Sequence, residues 1–131
     1  MNKIAILAVS ILLIGACSDA RQKIADTLDQ EVMKVHDEVM PKMGKVLELR
    51  KQINQKIDSC TTQACKDSLQ KISYLLTKAD EDMMQWMRAF ERPAGLDTAE
   101  QYYKGQMEAV AIVKQEVEEG IAAAEQALGT K

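Results

Sequence analysis

Residues 24–57, IADTLDQEVMKVHDEVMPKMGKVLELRKQINQKI, have an apolar side chain at every third or fourth position. The positions are Ile24, Leu28, Val32, Val35, Val39, Met43, Val46, Leu49, Ile53 and Ile57. Such spacing places all of them on one face of an α-helix. At about 1.5 Å per residue, an unbroken helix over residues 22–58 would extend for about 55 Å. The stretch therefore predicts a long amphipathic helix with one buried face.

Pro41 lies inside this helix and Gly44 follows it. Proline removes the hydrogen bond to the carbonyl four residues earlier and crowds that turn. We therefore expect a kink near residues 37–41, with a complete break as the alternative.

The next segments predict two more helices. Residues 58–62, DSCTT, have the composition of a turn, with Thr61 or Thr62 as the N-cap of the second helix. Its apolar stripe is Leu69, Ile72, Leu76, Ala79, Met83, Trp86 and Phe90, with Leu75 and Met87 beside it. Residues 92–95, RPAG, are expected to end this helix.

Asp97 and Glu100 resemble a capping box at the start of a third helix. The third stripe is Tyr103, Met107, Val110, Val113, Val117, Ile121, Ala124 and Leu128, and residues 129–131 are expected to fray. Three striped helices joined by short turns predict an all-α fold, an elongated antiparallel three-helix bundle that runs up, down and up with coiled-coil-like packing. The alternative is a helical hairpin that completes its core by dimerising.

The N-terminus predicts export. Lys3 precedes an apolar run, residues 4–14, that is followed by Gly15, Ala16 and Cys17. This is the pattern of a secretory signal peptide, and the run is shorter than the roughly 20 residues of a transmembrane helix. Residues 14–17, IGAC, resemble a bacterial lipobox, which implies cleavage before Cys17 and lipidation of that cysteine. The alternatives are an ordinary signal peptide and an uncleaved anchor.

The predicted organisation is a lipoprotein signal peptide at residues 1–16, a lipidated cysteine and tether at 17–21, and a helical domain at 22–131. Removing the signal peptide leaves 16 basic and 20 acidic residues, because Lys3 is the only charge lost. The resulting net charge of about −4, spread without a basic block, argues against nucleic acid as a partner and against electrostatic docking on anionic lipid. The membrane is therefore expected to be reached through the covalent lipid.

Cys60 and Cys65 remain as an even pair in an exported chain, which favours a disulfide. Residues five apart in one continuous helix lie too far apart to be bridged, so the disulfide predicts that the chain turns there. A dithiol metal site and free thiols are the alternatives.

The methionines and the single histidine predict a candidate metal site. With the first turn near residue 61, His36 falls level with Trp86, and Met40 with Met83. Thioether and imidazole groups suit Cu(I) and Ag(I), which gives a candidate metal site. Its residues are Met33, His36, Met40, Met83 and Met87, with Trp86 as a capping ring. In the competing interpretation the methionines fill gaps in the core, there is no cofactor, and His36 bonds Asp37, Glu38 or water.

Enzyme motifs are missing from the sequence. There is one histidine, and no H-E-x-x-H, G-x-S-x-G or glycine-rich phosphate loop. Residues 80–82, DED, point around a helix and indicate a solvated face. The sequence therefore predicts a non-enzymatic protein.

Residues 36–43, HDEVMPKM, and 79–90, ADEDMMQWMRAF, resemble short helical lipoproteins of Gram-negative bacteria that are often labelled "viral A-type inclusion protein". The resemblance implies an exported, lipid-anchored, helical protein of unassigned role, and brings no catalytic residues.

The expected function is that of an interaction or structural module on the periplasmic face of the outer membrane, with Cu(I) or Ag(I) binding as the alternative. A protein partner is expected at an exposed apolar strip that includes Tyr102 and Phe90, and a homodimer remains open.

Overall fold

The computed structural model describes the backbone of residues 2–130 and the side chains of residues 18–130. It contains helix α1 at Asn2–Asp58, helix α2 at Gln63–Ala89 and helix α3 at Leu96–Leu128. Each helix packs against the other two, so the predicted all-α three-helix bundle is confirmed. Because α3 completes the core, the alternative of a dimerising hairpin is wrong. Met1 and the side chains of the predicted signal peptide and of Cys17 lie outside the described residues.

Polar contacts between helices establish the up-down-up order. α1 and α3 run parallel, because residues further along one helix pair with residues further along the other. The pairs are Glu38 with Lys114, Lys42 with Glu118, and Lys45 with Glu125. α2 runs antiparallel to α1, as shown by Asn54 with Ser73, Arg50 with Asp80, and Asp29 with Arg92.

The apolar stripes form the core. Fully buried side chains include Val32, Val39, Val46 and Ile53 of α1, Leu76 and Met83 of α2, and Val110 and Val117 of α3. The predicted stripe of α1 fails at its first position, since Ile24 is 46% exposed and Ala25 is buried instead. Gly120 allows α3 to approach α2 closely, because a Cβ there would lie 3.3 Å from Cδ2 of Leu76.

Helix α1 continues through Pro41, so the alternative of a break is wrong. Pro41 is exposed, and so is Asp37, the residue whose carbonyl loses its helical partner. Water can therefore hydrate that carbonyl, and burial on the opposite face holds the helix together. Residues 18–21, which follow Cys17 in the predicted tether, are also helical and belong to α1. They contain neither proline nor glycine, so nothing in this segment interrupts the helix.

The disulfide between Cys60 and Cys65 is confirmed, with 5.8 Å between the Cα atoms. It closes the turn between α1 and α2, as the spacing predicts. Thr62 is the N-cap of α2, and its Oγ1 accepts a hydrogen bond from the Cys65 amide at 3.2 Å. Closing so short a loop stabilises the fold by about 2 kcal/mol on the loop-entropy model.

Three predicted helix ends are wrong. α2 ends at Ala89, before residues 92–95, because Phe90 is extended. The capping box at Asp97 and Glu100 does not form, since Gly95 is the N-cap of α3, Asp97 pairs with Arg21 and Glu100 pairs with Lys104. Gly129 and Thr130, predicted to fray, are held by hydrogen bonds from their amides to α3, and Lys131 lies outside the described residues. Gly129 adopts a left-handed conformation with φ 71°, and its amide donates to the Gln126 carbonyl.

Acid is expected to destabilise the bundle, because several carboxylates are hydrogen-bonded to lysines. The hydrogen bond from Lys78 lowers the pKa of Asp82, and that from Lys114 lowers the pKa of Glu38. A carboxylate whose pKa is lower in the folded chain stabilises the fold above its unfolded pKa, and this contribution is lost as the pH falls through the folded pKa. The urea midpoint should therefore fall between about pH 5 and pH 2.

The control for this prediction is Lys78→Met, which removes the cation between Asp82 and Glu116. Its acid-induced decrease in urea midpoint should be smaller than that of the unmodified chain. An equal decrease would show that these pairs do not cause the acid sensitivity.

Candidate functional site

Helices α1 and α2 bring His36 and Met87 into contact, although 51 positions separate them in the sequence. The Nε2 atom of His36 lies 3.3 Å from the Sδ atom of Met87. The His36 ring lies 5.7 Å from the Trp86 ring, centroid to centroid. His36 and Trp86 therefore lie at one level of the bundle, as the distance of each residue from the turn predicts.

Asp37 determines which nitrogen of the His36 ring carries the proton. Nδ1 of His36 lies 2.9 Å from Oδ1 of Asp37. An ionised carboxylate only accepts hydrogen bonds, so Nδ1 must be the donor. In the neutral ring Nε2 is then unprotonated, and its lone pair faces the sulfur of Met87. The predicted bond from His36 to Asp37 is thus present, and it orients the imidazole toward α2.

Aromatic rings cover one side of this contact. Trp86 is 7% exposed and packs against Phe90, with ring centroids 5.1 Å apart. The row continues to Tyr102 and then to Tyr103. Burial raises the pKa of the Tyr103 hydroxyl, and the nearby Asp29 carboxylate adds to this effect. The ring that lies beside His36 is that of Trp86, which is almost fully buried.

The other methionines of the predicted set occupy different environments. Met83 is fully buried in the core, whereas Met33, Met40 and Met87 are half-buried. Among the described residues, Met87 is the methionine whose sulfur lies within hydrogen-bonding distance of the His36 ring. Met33 and Met40 lie three residues before and four residues after His36, so they share its face of α1.

The site contains no set of hard ligands. Within residues 18–130 no three His, Cys, Asp or Glu side chains converge as a metal site would require. Its donor atoms are one imidazole nitrogen and one thioether sulfur, with a carboxylate behind the imidazole. Such donors match a soft monovalent cation and not Mg²⁺ or Ca²⁺, which prefer oxygen ligands.

The exposed apolar side chains are not the expected ones. Tyr102 and Phe90 are half-buried in the aromatic row, and the Tyr102 hydroxyl accepts a hydrogen bond from the Glu91 amide at 2.8 Å. Among residues 18–130, the large apolar side chains that face solvent are those of Ile24, Leu47, Tyr74, Leu75 and Ile112. The one signal in the sequence was that four of them, Leu47, Tyr74, Leu75 and Ile112, lie off the main apolar stripes.

Comparison of the chain with protein-family models, with curated proteins and with solved structures finds no match. A search of the described helices for a segment long and apolar enough to cross a membrane also finds none.

Proposed function

We propose that this chain is a non-enzymatic lipoprotein of the cell envelope, anchored through Cys17 and serving as an interaction or structural module. The lipobox-like residues 14–17 support the anchor. Ser18 after the cysteine is compatible with sorting to the outer membrane, with the bundle facing the periplasm. The single histidine and the lack of enzyme motifs in the sequence support a role in binding or architecture.

The observation that carries this proposal is the lipobox-like sequence before Cys17, and the continuity of α1 determines what an anchor there would hold. This helix runs from the predicted signal sequence through the whole bundle to Asp58, with no flexible linker after Cys17. From Ser18 to Asp58 it extends for about 60 Å. A lipid on Cys17 would therefore hold one end of the bundle at the membrane and the disulfide turn at the far end.

Ion pairs fix which parts of the bundle lie near the anchor. Arg21 pairs with Asp97 at 3.2 Å, and Asp29 pairs with Arg92 at 3.0 Å. These pairs hold the connection between α2 and α3 against residues 21–29 of α1, the part that follows Cys17. The C-terminal end of α3 lies at the other end, where the Lys56 ammonium donates to the Ala127 carbonyl.

Tyr74 is the most exposed of the large apolar side chains, at 65%, and Leu75 beside it is 39% exposed. The neighbouring Ser73 donates a hydrogen bond to Asn54 at 2.7 Å, which places Tyr74 level with the last turns of α1. Along α1 this level is about 55 Å from Ser18. The proposal places the contact with a protein partner at these two exposed side chains.

Site-specific photo-crosslinking in intact cells tests the role as an interaction module. A photoreactive residue at Tyr74 is expected to give an adduct of one defined mass, because a bound partner would cover this side chain. The same residue at Gln101, an exposed polar position of α3, is the control. The adduct should disappear with Leu75→Glu. The interaction proposal fails if the adducts at the two positions are alike, or if Leu75→Glu leaves the Tyr74 adduct unchanged.

A further inference from the structure

We propose that His36 and Met87 bind a soft monovalent cation, Cu(I) or Ag(I), between helices α1 and α2. This site lies within the bundle and does not depend on the lipid anchor or on a protein partner. The proposal rests on the direction in which the His36 ring faces, on the chemistry of the two donor atoms and on their separation.

The first step is the bond between His36 and Asp37. A carboxylate that accepts from one imidazole nitrogen directs the lone pair of the other nitrogen outward, and metal-binding histidines are held in this way. Here Nδ1 lies 2.9 Å from the Asp37 carboxylate, so Nε2 is the free donor atom. The His36 side chain is 17% exposed, which leaves its edge accessible from solvent.

The second step concerns the contact between Nε2 of His36 and the sulfur of Met87. A thioether sulfur has lone pairs and no proton, so it cannot donate a hydrogen bond to Nε2. Two lone-pair donors therefore face each other across 3.3 Å. Either a proton on Nε2 or a cation bound to both atoms makes this contact favourable. Nitrogen and thioether sulfur are both ligands that Cu(I) prefers.

The third step is the separation of the two atoms. With metal–nitrogen and metal–sulfur bonds of about 2.0 and 2.3 Å and a tetrahedral angle, two ligand atoms lie about 3.5 Å apart. The observed 3.3 Å is slightly shorter than this value, so a rotation of the flexible Met87 side chain is needed to place a cation on the Nε2 lone pair, while the helices stay in place. Met33 and Met40, half-buried on the same face of α1, are the candidates for a third ligand, because three rotatable bonds let a methionine sulfur reorient.

The buried Trp86 ring covers one side of the proposed site. This ring lies beside His36 and is almost fully buried. An aromatic face attracts a nearby cation and excludes water, which would favour a weakly hydrated ion over a strongly hydrated one. Binding should therefore change the fluorescence of this tryptophan, which is the only one in the chain.

The test is a competition titration of the full chain, purified in detergent with its disulfide intact, with Cu(I) against a chromophoric chelator. The titration is run without oxygen at about pH 8, where an ordinary imidazole is neutral. We expect one equivalent of Cu(I) to bind and to quench Trp86. Met87→Leu and His36→Gln should each weaken binding by at least about tenfold, and Asp37→Ala by about tenfold through loss of orientation.

The control is Met107→Leu, which replaces a half-buried methionine of α3 and should leave the affinity unchanged. Met87→Leu conserves volume, and an unchanged thermal midpoint shows that this variant folds. The proposal is overturned if no Cu(I) binds, if Met87→Leu binds as tightly as the unmodified chain, or if Met107→Leu weakens binding equally. None of these results affects the proposed lipid anchor.

Discussion

Replacing Cys17 with serine is expected to abolish incorporation of a labelled fatty acid into this protein. A hydroxyl cannot form the thioether through which a lipoprotein cysteine carries its lipid. The expected effect is complete loss of label, measured by gel fluorography after metabolic labelling.

The matched control for Cys17→Ser is the pair Cys60→Ser and Cys65→Ser, made together. These cysteines form the disulfide at the far end of α1 from Cys17, so the double variant should keep its fatty-acid label. Label that persists in Cys17→Ser, or is lost from the double variant, would contradict lipidation at Cys17.

Leu76→Ala is expected to have the largest effect on stability. Leu76 is fully buried in α2, and its Cδ2 atom lies at the close approach to Gly120 of α3. Truncating a buried leucine removes transfer free energy and leaves a cavity, which together cost about 2–5 kcal/mol. The free energy of unfolding, measured by urea denaturation and circular dichroism, should decrease by this amount.

Leu75→Ala is the control for Leu76→Ala, because the neighbouring side chain is 39% exposed and lies outside the core. Its cost should be below about 1 kcal/mol, since only part of this side chain is removed from water. Equal losses for the two variants would mean that α2 does not present this face to α1 and α3.

The core residues in the middle of the bundle could be predicted from the sequence, because the spacing of apolar residues identifies the buried face of each helix. Val32, Val39, Val46 and Ile53 are all buried at the spacing that their pattern predicts. A helix with two neighbours along most of its length has one buried face, and the period of the apolar residues identifies that face. The same period predicts Leu76, Met83 and Val110 correctly.

The contacts at the end of the bundle where α3 begins could not be predicted from the sequence, because they depend on how the helices pack against each other. Asp97 has a residue type and position suited to a cap, yet it pairs with Arg21 of α1. Gly95 is the N-cap of α3, and no side chain caps its first turn. At the same end Ile24 is exposed and Ala25 takes its place in the core. The capping preference of a residue indicates that a helix begins nearby. It does not show which residues of another helix the first turn will contact.

The level of the candidate metal site in the bundle could be predicted from the sequence, but its contacts could not. Distances along two antiparallel helices place His36 level with Trp86, and the rings are indeed neighbours. Spacing alone does not show which sulfur the imidazole faces. That depends on side-chain rotamers, and the structure selects Met87 while Met83 remains in the core.

The most direct test of the proposed lipid anchor is the mass of the N-terminal tryptic peptide of the protein isolated from membranes. A processed lipoprotein would give the peptide of residues 17–21, CSDAR, with acyl chains on Cys17. We predict this acylated peptide as the main N-terminal species. An unmodified Cys17 at the N-terminus, or a chain that retains residues 1–16, would contradict the lipid anchor.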